Sequence, residues 1–230
     1  MTSGRGRRGS RWTSLSLPHP IPSLVTIRAE YDRAAADYDR RWARYNRASL
    51  ALLRPWIEGR DLGCVVDVGC GTGNLPPFFR VCGVRMDAYA GLDLSPQMLR
   101  VARGKGSGAD VRVGFAAADA AALPLHDGSF DTAVSASVLH YWDDAAAALA
   151  EIRRVLRPAG RLLLVDWLRD PLPMRLLNAW MRITRVQYRR MYSRDELADA
   201  LAVAGFRVQA EARGSAGGPW RLISIEAHAI

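Results

Sequence analysis

The sequence has little cysteine and no long apolar segment. Its three cysteines are Cys64, Cys70 and Cys82, which cannot all pair with one another and do not follow a metal-ligand spacing. No apolar run reaches the roughly 20 residues that a membrane-spanning helix needs, and no solenoid-type repeat is present. These absences argue against a disulfide-stapled domain, a metal centre, an integral membrane protein and a repeat array. They favour a cytoplasmic protein with reduced thiols.

Acidic residues are missing from the first 28 residues, which contain five arginines. Three prolines, Pro18, Pro20 and Pro22, interrupt the segment that a signal peptide would need as its apolar core. The Arg7-Arg8 pair is followed by a poor match to a twin-arginine signal. We therefore predict a disordered basic leader over residues 1–28. The remaining residues, 29–230, are enough for a single α/β domain with a substantial core.

A glycine-rich stretch from Val65 to Leu75 is the most informative part of the chain. Its β-branched valines predict a strand buried on both faces. The glycines that follow, Gly69, Gly71 and Gly73, permit positive φ and a close approach of the backbone to a ligand at a helix N-terminus. Asn74 stands where a dinucleotide fingerprint needs its third glycine. The stretch therefore predicts a site for a nucleotide-like ligand, and Asn74 counts against NAD as that ligand.

Acidic residues follow two later predicted strands. Asp93 ends a short apolar strand, and Ser95 and Pro96 then provide the N-cap and first residue of a helix. A carboxylate at this edge of a doubly wound sheet can accept hydrogen bonds from two ribose hydroxyls. Asp119 follows the third predicted strand. Strands that alternate with helices throughout the chain predict a mostly parallel sheet.

Taken in order, these motifs resemble those of the class I S-adenosylmethionine-dependent methyltransferases. The resemblance covers about residues 29–228 and includes the R-V-L-R-P-A-G passage at 154–160, where Ala159 replaces a glycine of the family pattern. It implies an α/β fold with a Rossmann-like doubly wound sheet, mostly parallel with an antiparallel last strand. Within the family, the chain is most similar to the bacterial set that includes quinone-precursor C-methyltransferases and natural-product O- and N-methyltransferases.

The resemblance also implies that S-adenosylmethionine is the cofactor and assigns residues to it. The glycine loop would hold the methionine portion, with Asp67 at its ammonium and Thr72 at its carboxylate. Asp93 would bind the ribose, and Asp119 with the adjacent Ala120 would bind the adenine. The full predicted cofactor-binding set is Asp67, Gly69, Cys70, Gly71, Thr72, Gly73, Asp93, Leu94, Asp119, Ala120, Ser135 and Ala136. No metal site is predicted.

Methyl transfer from a sulfonium mainly requires alignment of the reactants and exclusion of water. A general base is needed only when the acceptor starts protonated. His140 and Tyr141 follow the predicted fourth strand and are the candidates for that base, since the pKa of an ordinary histidine suits the task. The alternative is that His140 is a packing or hydrogen-bonding residue.

An aromatic stripe lies near the amino terminus. Its members recur at helical spacing along one face of a helix predicted within residues 29–58: Tyr31, Ala35, Tyr38, Trp42 and Tyr45. The segment resembles a Y-D-x-x-A-x-x-Y-D helix that covers the cofactor cleft in related methyltransferases, which implies a lid. The alternative is that the stripe packs on the sheet as part of the core.

Positive charge is concentrated in two segments of a chain whose formal net charge is +9. Besides the leader, residues 169–194 contain seven arginines and one aspartate. We predict that residues 169–192 insert a cap helix after the fifth strand. Its basic face, from Arg175 to Arg189, has three possible roles: the solvated side of a roof over the substrate, a contact with an anionic membrane, or a less favoured contact with nucleic-acid phosphates.

The sequence therefore predicts methyl transfer from S-adenosylmethionine to a small-molecule or lipid-like acceptor by in-line displacement. The alternatives are a non-catalytic cofactor-binding scaffold, a methyltransferase that acts on a membrane lipid or nucleic acid, and, less favoured, an NAD-dependent oxidoreductase.

Overall fold

A computed structural model describes residues 22–105, 111–185 and 188–230, except for the side chains of residues 22–25. Most of the predicted leader therefore lies outside the described residues. The first helix begins at Pro22, so it includes the last seven residues of that leader, which were predicted to be disordered.

One seven-stranded sheet forms the centre of the domain. Its strands are β1 (Cys64–Val68), β2 (Ala88–Asp93), β3 (Arg112–Ala117), β4 (Phe130–Ala136), β5 (Leu156–Trp167), β6 (Phe206–Gly217) and β7 (Trp220–Ala229). Their order is β3-β2-β1-β4-β5-β7-β6, and only β7 runs antiparallel to its neighbours. This arrangement confirms the predicted sheet. The strand order reverses between β1 and β4, where doubly wound folds bind their ligands.

Helices cover both faces of the sheet. They are α1 (Pro22–Ala34), α2 (Tyr38–Ala51), α3 (Arg54–Ile57), α4 (Leu75–Val81), α5 (Pro96–Gly104), α6 (Ala145–Val155), α7 (Leu172–Thr184) and α8 (Arg194–Val203), with a 3-10 turn at Leu139–Tyr141. Among the described residues, no helix is both long enough and apolar enough to cross a bilayer.

Two predictions about the helices are wrong in detail. The single helix predicted within residues 29–58 is divided into α1, α2 and α3, because a turn at 35–37 interrupts it. The cap helix predicted within residues 169–192 spans Leu172–Thr184. In both places the hydrophobic period continues in the sequence while the backbone leaves the helical conformation.

Local sequence explains why the elements begin where they do. The Ser95 hydroxyl accepts a hydrogen bond from Met98 N at 3.1 Å, and Pro96 follows at the first helical position of α5. Ser193 and Glu196 form a reciprocal capping box at the start of α8. In β1, Val65 packs into one hydrophobic cluster while Val66 and Val68 pack into the other. Burial of both faces fixes the strand that leads into the glycine loop.

Candidate active site

The glycine loop after β1 is fastened to the end of β2 by backbone hydrogen bonds. Gly69 N and Cys70 N both donate to Leu92 O, at 2.8 and 2.9 Å. Gly71 N donates to a carboxylate oxygen of Asp93 at 2.8 Å. A Cβ at Gly69, where φ is +81°, would lie 2.7 Å from the Val138 side chain. Only glycine fits this position, both in backbone conformation and in space.

A cleft of about 1090 Å³ opens at the carboxyl ends of β1, β2 and β4. Eleven of the fourteen predicted site residues line it or the second cavity described next. Those in the main cleft are Gly69, Gly71, Asp93, Leu94, Asp119, Ala120, Ala136 and Tyr141. At Gly71 an added Cβ would meet no atom within 4 Å, so the backbone faces open space there.

A second cavity, of about 470 Å³, lies on the other side of the glycine loop. The predicted residues that line it and not the main cleft are Asp67, Cys70 and Thr72. Both cavities share the following lining residues: Tyr38, Gly69, Gly71, Ala136 and Ser137. The two cavities therefore meet at the glycine loop and the end of β4.

The Asp93 carboxylate has a structural role as well as a place in the cleft. Its second oxygen accepts a hydrogen bond from Ser95 N at 2.9 Å. Burial raises the pKa of Asp93, while the backbone hydrogen bonds from Ser95 and Gly71 oppose that rise. Each carboxylate oxygen has a further lone pair. Asp93 is therefore able to hold the loop and, at the same time, to accept hydrogen bonds from a ligand.

Asp67 is buried beneath the second cavity. The Tyr89 hydroxyl donates a hydrogen bond to its carboxylate at 2.5 Å. Burial raises the pKa of Asp67 to about 7, although the hydrogen bond from Tyr89 acts in the opposite direction. A carboxylate in this environment gains strongly from a cationic partner, because a nearby positive charge favours its ionised form.

Thr72, predicted to bind the methionine carboxylate, donates its hydroxyl to Asp39 of α2 at 2.6 Å. Asn74 Nδ2 also donates to Asp39, at 3.0 Å. Lys105 Nζ lies 2.7 Å from the second Asp39 oxygen and donates to Asn74 Oδ1 at 2.6 Å. These hydrogen bonds and the ion pair lower the pKa of Asp39 despite its partial burial. We call Asp39, Thr72, Asn74 and Lys105 the loop clamp.

A similar contact joins α1 to the start of α5. Asp32 accepts hydrogen bonds from the Ser95 hydroxyl at 2.6 Å and from Gln97 N at 3.2 Å. The predicted aromatic stripe includes the tyrosines of two Tyr-Asp pairs, Tyr31-Asp32 and Tyr38-Asp39, but no role was predicted for the aspartates. The repeated pair was the available signal, since each aspartate joins an amino-terminal helix to a loop of the cleft.

Three tyrosines cluster over the main cleft. The ring of Tyr31 lies 6.1 Å from Tyr38 and 5.6 Å from Tyr141, measured between centroids. Burial raises the pKa of all three phenols, so each is protonated near neutral pH. Protonated phenols donate hydrogen bonds and do not act as bases. Tyr141 therefore lies in the cleft in a form unsuited to the base role considered for it.

The predicted aromatic stripe divides between two environments. Tyr31 and Tyr38 line the cleft, as a lid requires. Trp42 and Tyr45 instead pack with Trp167 in a hydrophobic cluster. The Tyr45 hydroxyl is 2.8 Å from Ser137 Oγ and accepts from Trp167 Nε1 at 2.6 Å. Ser137 has a φ of +62°, which is uncommon for a residue with a side chain.

The structure does not bring His140 into either cavity. Its imidazole is buried, stacks on Trp167 with centroids 3.6 Å apart, and has Nδ1 2.6 Å from Asp166. Its Nε2 has no hydrogen-bond partner among the described residues. The carboxylate of Asp166 also accepts from Leu139 N at 2.8 Å and from Trp167 N at 2.6 Å. His140 therefore lies in a buried network that joins the end of β4 to β5.

Two further predicted residues also lie outside both cavities. The Ser135 hydroxyl is buried and has no partner among the described residues. A Cβ at Gly73 would lie 2.9 Å from the Cβ of Ala102. Gly73 therefore allows the glycine loop to approach α5 closely.

The chemistry of these groups fits S-adenosylmethionine. An open main-chain loop lies between one carboxylate at the end of β2 and another under the second cavity. Backbone amides suit a carboxylate, buried acids suit an ammonium and ribose hydroxyls, and an apolar cleft suits an adenine ring. The fold and this site together define the class I methyltransferases.

Comparisons with known proteins agree. A family model described as a methyltransferase domain matches residues 66–164. Malonyl-[acyl-carrier protein] O-methyltransferase of Pseudescherichia vulneris is 34% identical over 184 residues, which cover 78% of this chain and 70% of that protein. The chain belongs to the class I S-adenosylmethionine-dependent methyltransferases, and S-adenosylmethionine is its methyl donor.

Two further similarities extend this comparison. Demethylmenaquinone methyltransferase of Thermus thermophilus is 34% identical over 127 residues, which cover 55% of each chain. The structure of magnesium protoporphyrin IX methyltransferase from Synechocystis PCC 6803, with bound SAH, superposes with a TM-score of 0.71. It covers 90% of this chain and 99% of that one at 18% identity, and so supports the fold.

Proposed function

We propose that this methyltransferase acts on a small molecule that carries a carboxylate, and that the product is a methyl ester. The observation that carries the proposal is the composition of the cleft. Among the described residues, no histidine or lysine lines either cavity. The phenols over the cleft are protonated, because burial raises the pKa of each. A carboxylate acceptor is already deprotonated at neutral pH and needs no base.

Bound S-adenosylmethionine supplies an activated methyl group, which passes to an acceptor oxygen as the carbon–sulfur bond breaks. We assign Asp93 to the ribose hydroxyls, Asp119 and the backbone of Ala120 to the adenine, and Asp67 to the methionine ammonium. The glycine loop provides backbone amides for the methionine portion. Tyr31 and Tyr38 exclude water from the cleft and donate hydrogen bonds. These residues contribute alignment and desolvation, which such a displacement chiefly requires.

The relatives support this acceptor class. The protein from Pseudescherichia vulneris is named for a malonyl group, which ends in a carboxylate. Arg28 lines the main cleft and provides positive charge close to the place where such an anion would enter. An acceptor with an acidic hydroxyl or an amine is the competing possibility. It requires a base, and the described lining offers only aspartates for that role, of which Asp67, Asp93 and Asp119 are assigned here to the cofactor.

His140 fits a positioning role. Its imidazole holds Asp166 and Trp167 beneath the end of β4, next to Ser137 and Tyr141 in the cleft wall. We therefore assign it to the support of that wall and not to proton transfer.

We also propose a cytoplasmic location. Cys64, Cys70 and Cys82 are free thiols, and burial raises the pKa of Cys70 and Cys82. Protonated, buried thiols are stable packing groups, as is common in a reducing compartment. Fractionation of the native host would check this assignment.

The test is the alkali stability of the methylated product. The purified protein is incubated with methyl-labelled S-adenosylmethionine and panels of carboxylic acids, phenols and amines. Methyl esters hydrolyse in mild alkali and release volatile labelled methanol, whereas aryl ethers and N-methyl groups do not. We expect alkali-labile label from the carboxylic acids only. An alkali-stable product would contradict the proposed acceptor while leaving the methyltransferase assignment intact. The Asp93→Ala variant is the control for cofactor-dependent transfer.

A further inference from the structure

Helix α7 exposes a row of large apolar side chains. Leu172 is 67% exposed, Leu176 66%, Trp180 53% and Ile183 87%. Their spacings of four, four and three residues place them on one stripe of the helix. We call these four residues the α7 row. Isolated exposed apolar residues are ordinary, but a contiguous row of this kind marks a contact surface.

The opposite face of α7 is firmly packed, so the exposure does not result from a loose helix. Met174 and Met181 are buried in a hydrophobic cluster with Trp167. Asn178 Oδ1 accepts hydrogen bonds from the Tyr188 hydroxyl at 2.6 Å and from Met191 N at 3.0 Å. The protein therefore presents the α7 row on a fixed support. The large apolar residues of α7 are thus divided, with Met181 inside and Trp180 outside.

Positive charge flanks the row. Among the described residues, Arg175, Arg182 and Arg185 form no ion pair, and all three are exposed. The guanidinium of Arg185 lies 6.0 Å from the centroid of the Trp180 ring. The helix itself, L-P-M-R-L-L-N-A-W-M-R-I-T, contains no acidic residue. Two nearby arginines outside the helix, Arg169 and Arg190, instead form ion pairs with Glu196.

We propose that the exposed face of α7 docks on an anionic lipid surface. Helices that lie in a membrane interface combine an apolar stripe containing Trp or Leu with arginines beside it. The apolar row would enter the boundary between headgroups and acyl chains. Long arginine side chains would extend from the same helix to the lipid phosphates.

Other occupants fit less well. Residues 1–21 carry four arginines and no acid, so like charge opposes their docking on this face. A second copy of the chain, related by a twofold axis, would bring the same arginines together. A nucleic acid would satisfy the arginines but leave the four apolar side chains without a partner. An anionic bilayer satisfies both parts of the surface.

The segment after α7 connects this surface to the catalytic cleft. The backbone N–H of Arg189 donates to His140 O at 3.1 Å, and the adjacent Tyr141 lines the cleft. Docking through α7 would hold the rim of the cleft near the lipid phase. If the acceptor is the carboxylate of the proposed function, one that also carries an apolar chain would then reach the protein from the membrane.

Vesicle flotation of the full-length protein tests the proposal. The vesicles contain phosphatidylglycerol or, for comparison, only phosphatidylcholine. We expect flotation with phosphatidylglycerol at low salt and little with phosphatidylcholine. The double variant Leu176→Glu/Ile183→Glu should lower the partition coefficient by about tenfold or more, since it removes apolar contact and adds negative charge. The matched control is Val81→Glu/Val203→Glu, where two exposed valines of α4 and α8 (75% and 85% exposed) receive the same two charges.

Each outcome has a definite meaning. Absence of flotation at low salt would overturn the proposal and would leave an acidic protein as the partner to test. Equal flotation of the double variant and the wild type would also overturn it, because the leader would then carry the binding. Equal binding to phosphatidylglycerol and phosphatidylcholine vesicles would show that lipid charge is not required, and would overturn docking on an anionic surface. Binding of S-adenosylhomocysteine verifies that each variant is folded. If the double variant fails that check, Arg175→Gln/Arg182→Gln replaces it, with reduced flotation expected and unchanged flotation contradictory.

Discussion

Single residues of the site show how burial prepares them for a charged ligand. Asp67 is the clearest case, since its carboxylate lies under the second cavity and, among the described residues, has the Tyr89 hydroxyl as its hydrogen-bond partner. Burial raises its pKa to about 7, compared with about 4 in an unfolded chain. In the ligand-free protein, the free energy of unfolding should therefore fall as pH rises from about 4 to about 7, because the unfolded chain ionises first.

The affinity for S-adenosylhomocysteine should have the opposite pH dependence. A ligand ammonium binds the ionised Asp67 carboxylate, so affinity should rise by up to roughly tenfold per pH unit below about pH 7 and level off above it. Isothermal titration calorimetry from about pH 5.5 to about pH 8.5, in steps of roughly half a pH unit, would measure how the affinity changes with pH. Asp67→Asn should bind more weakly and with little pH dependence. Tyr89→Phe removes the hydrogen bond that favours the ionised form of the Asp67 carboxylate. The rise in affinity should therefore move to higher pH in this variant. A wild-type affinity that does not change with pH would contradict the assignment of Asp67 to the ammonium.

At the scale of elements, the first residues of β5 contain an unfavourable backbone conformation. Ala159 has a φ of +59° and occupies the position where the sequence departs from a glycine of the family pattern. Left-handed backbone costs a residue with a Cβ about 1–2 kcal/mol. The Ala159 side chain is exposed, so its removal loses little packing.

Ala159→Gly should therefore stabilise the protein by about 1 kcal/mol, less a few tenths for the greater freedom of glycine in the unfolded chain. For a domain of this size, that corresponds to an increase in Tm of roughly 2–4 °C. Differential scanning calorimetry is the measurement. Gly160→Ala is the contrasting variant, because a Cβ there would lie 2.9 Å from Arg157 O, and its Tm should fall. An unchanged or lower Tm for Ala159→Gly would show that the left-handed conformation at residue 159 does not destabilise the protein.

At the scale of the whole molecule, α1 and α2 close over the cleft and are fastened there by two aspartates. We propose that they form a lid that the cofactor stabilises. The turn at 35–37 lies between Arg33 and Arg40, so trypsin can report on opening of the lid. Cleavage there should be slower with S-adenosylhomocysteine and several-fold faster in Asp39→Ala, which breaks the loop clamp. Cleavage at Arg207 and Arg213 on β6 serves as the internal control. Equal cleavage at Arg33 or Arg40 with and without ligand would refute a ligand-stabilised lid.

The sequence predicted the sheet and the positions of the cofactor loop well, because those features follow from local patterns. The valines of β1, the glycine spacing and the acids at strand ends each have a direct physical meaning at short range. The loop clamp was missed because Asp39, Asn74 and Lys105 come from three separate parts of the chain. No short-range pattern shows that Thr72 meets a residue 33 positions earlier.

His140 illustrates the same limit in another form. Its place after β4 is correct, but whether its ring turns toward the cleft or toward Asp166 depends on how β5 packs beside β4. The break between α1 and α2 likewise depends on tertiary contacts, since the aromatic period runs through it without interruption.

Lys105 is the single lysine in the chain, and its ammonium lies within the loop clamp. Within the folded domain, acylation of a lysine side chain therefore has one target. Acylation there would neutralise the cation that pairs with Asp39 and leave that carboxylate with only Thr72 and Asn74. Acylation of one nitrogen would thus remove the ionic link from the end of α5 to α2 and leave α2 held to the glycine loop by the two remaining hydrogen bonds alone.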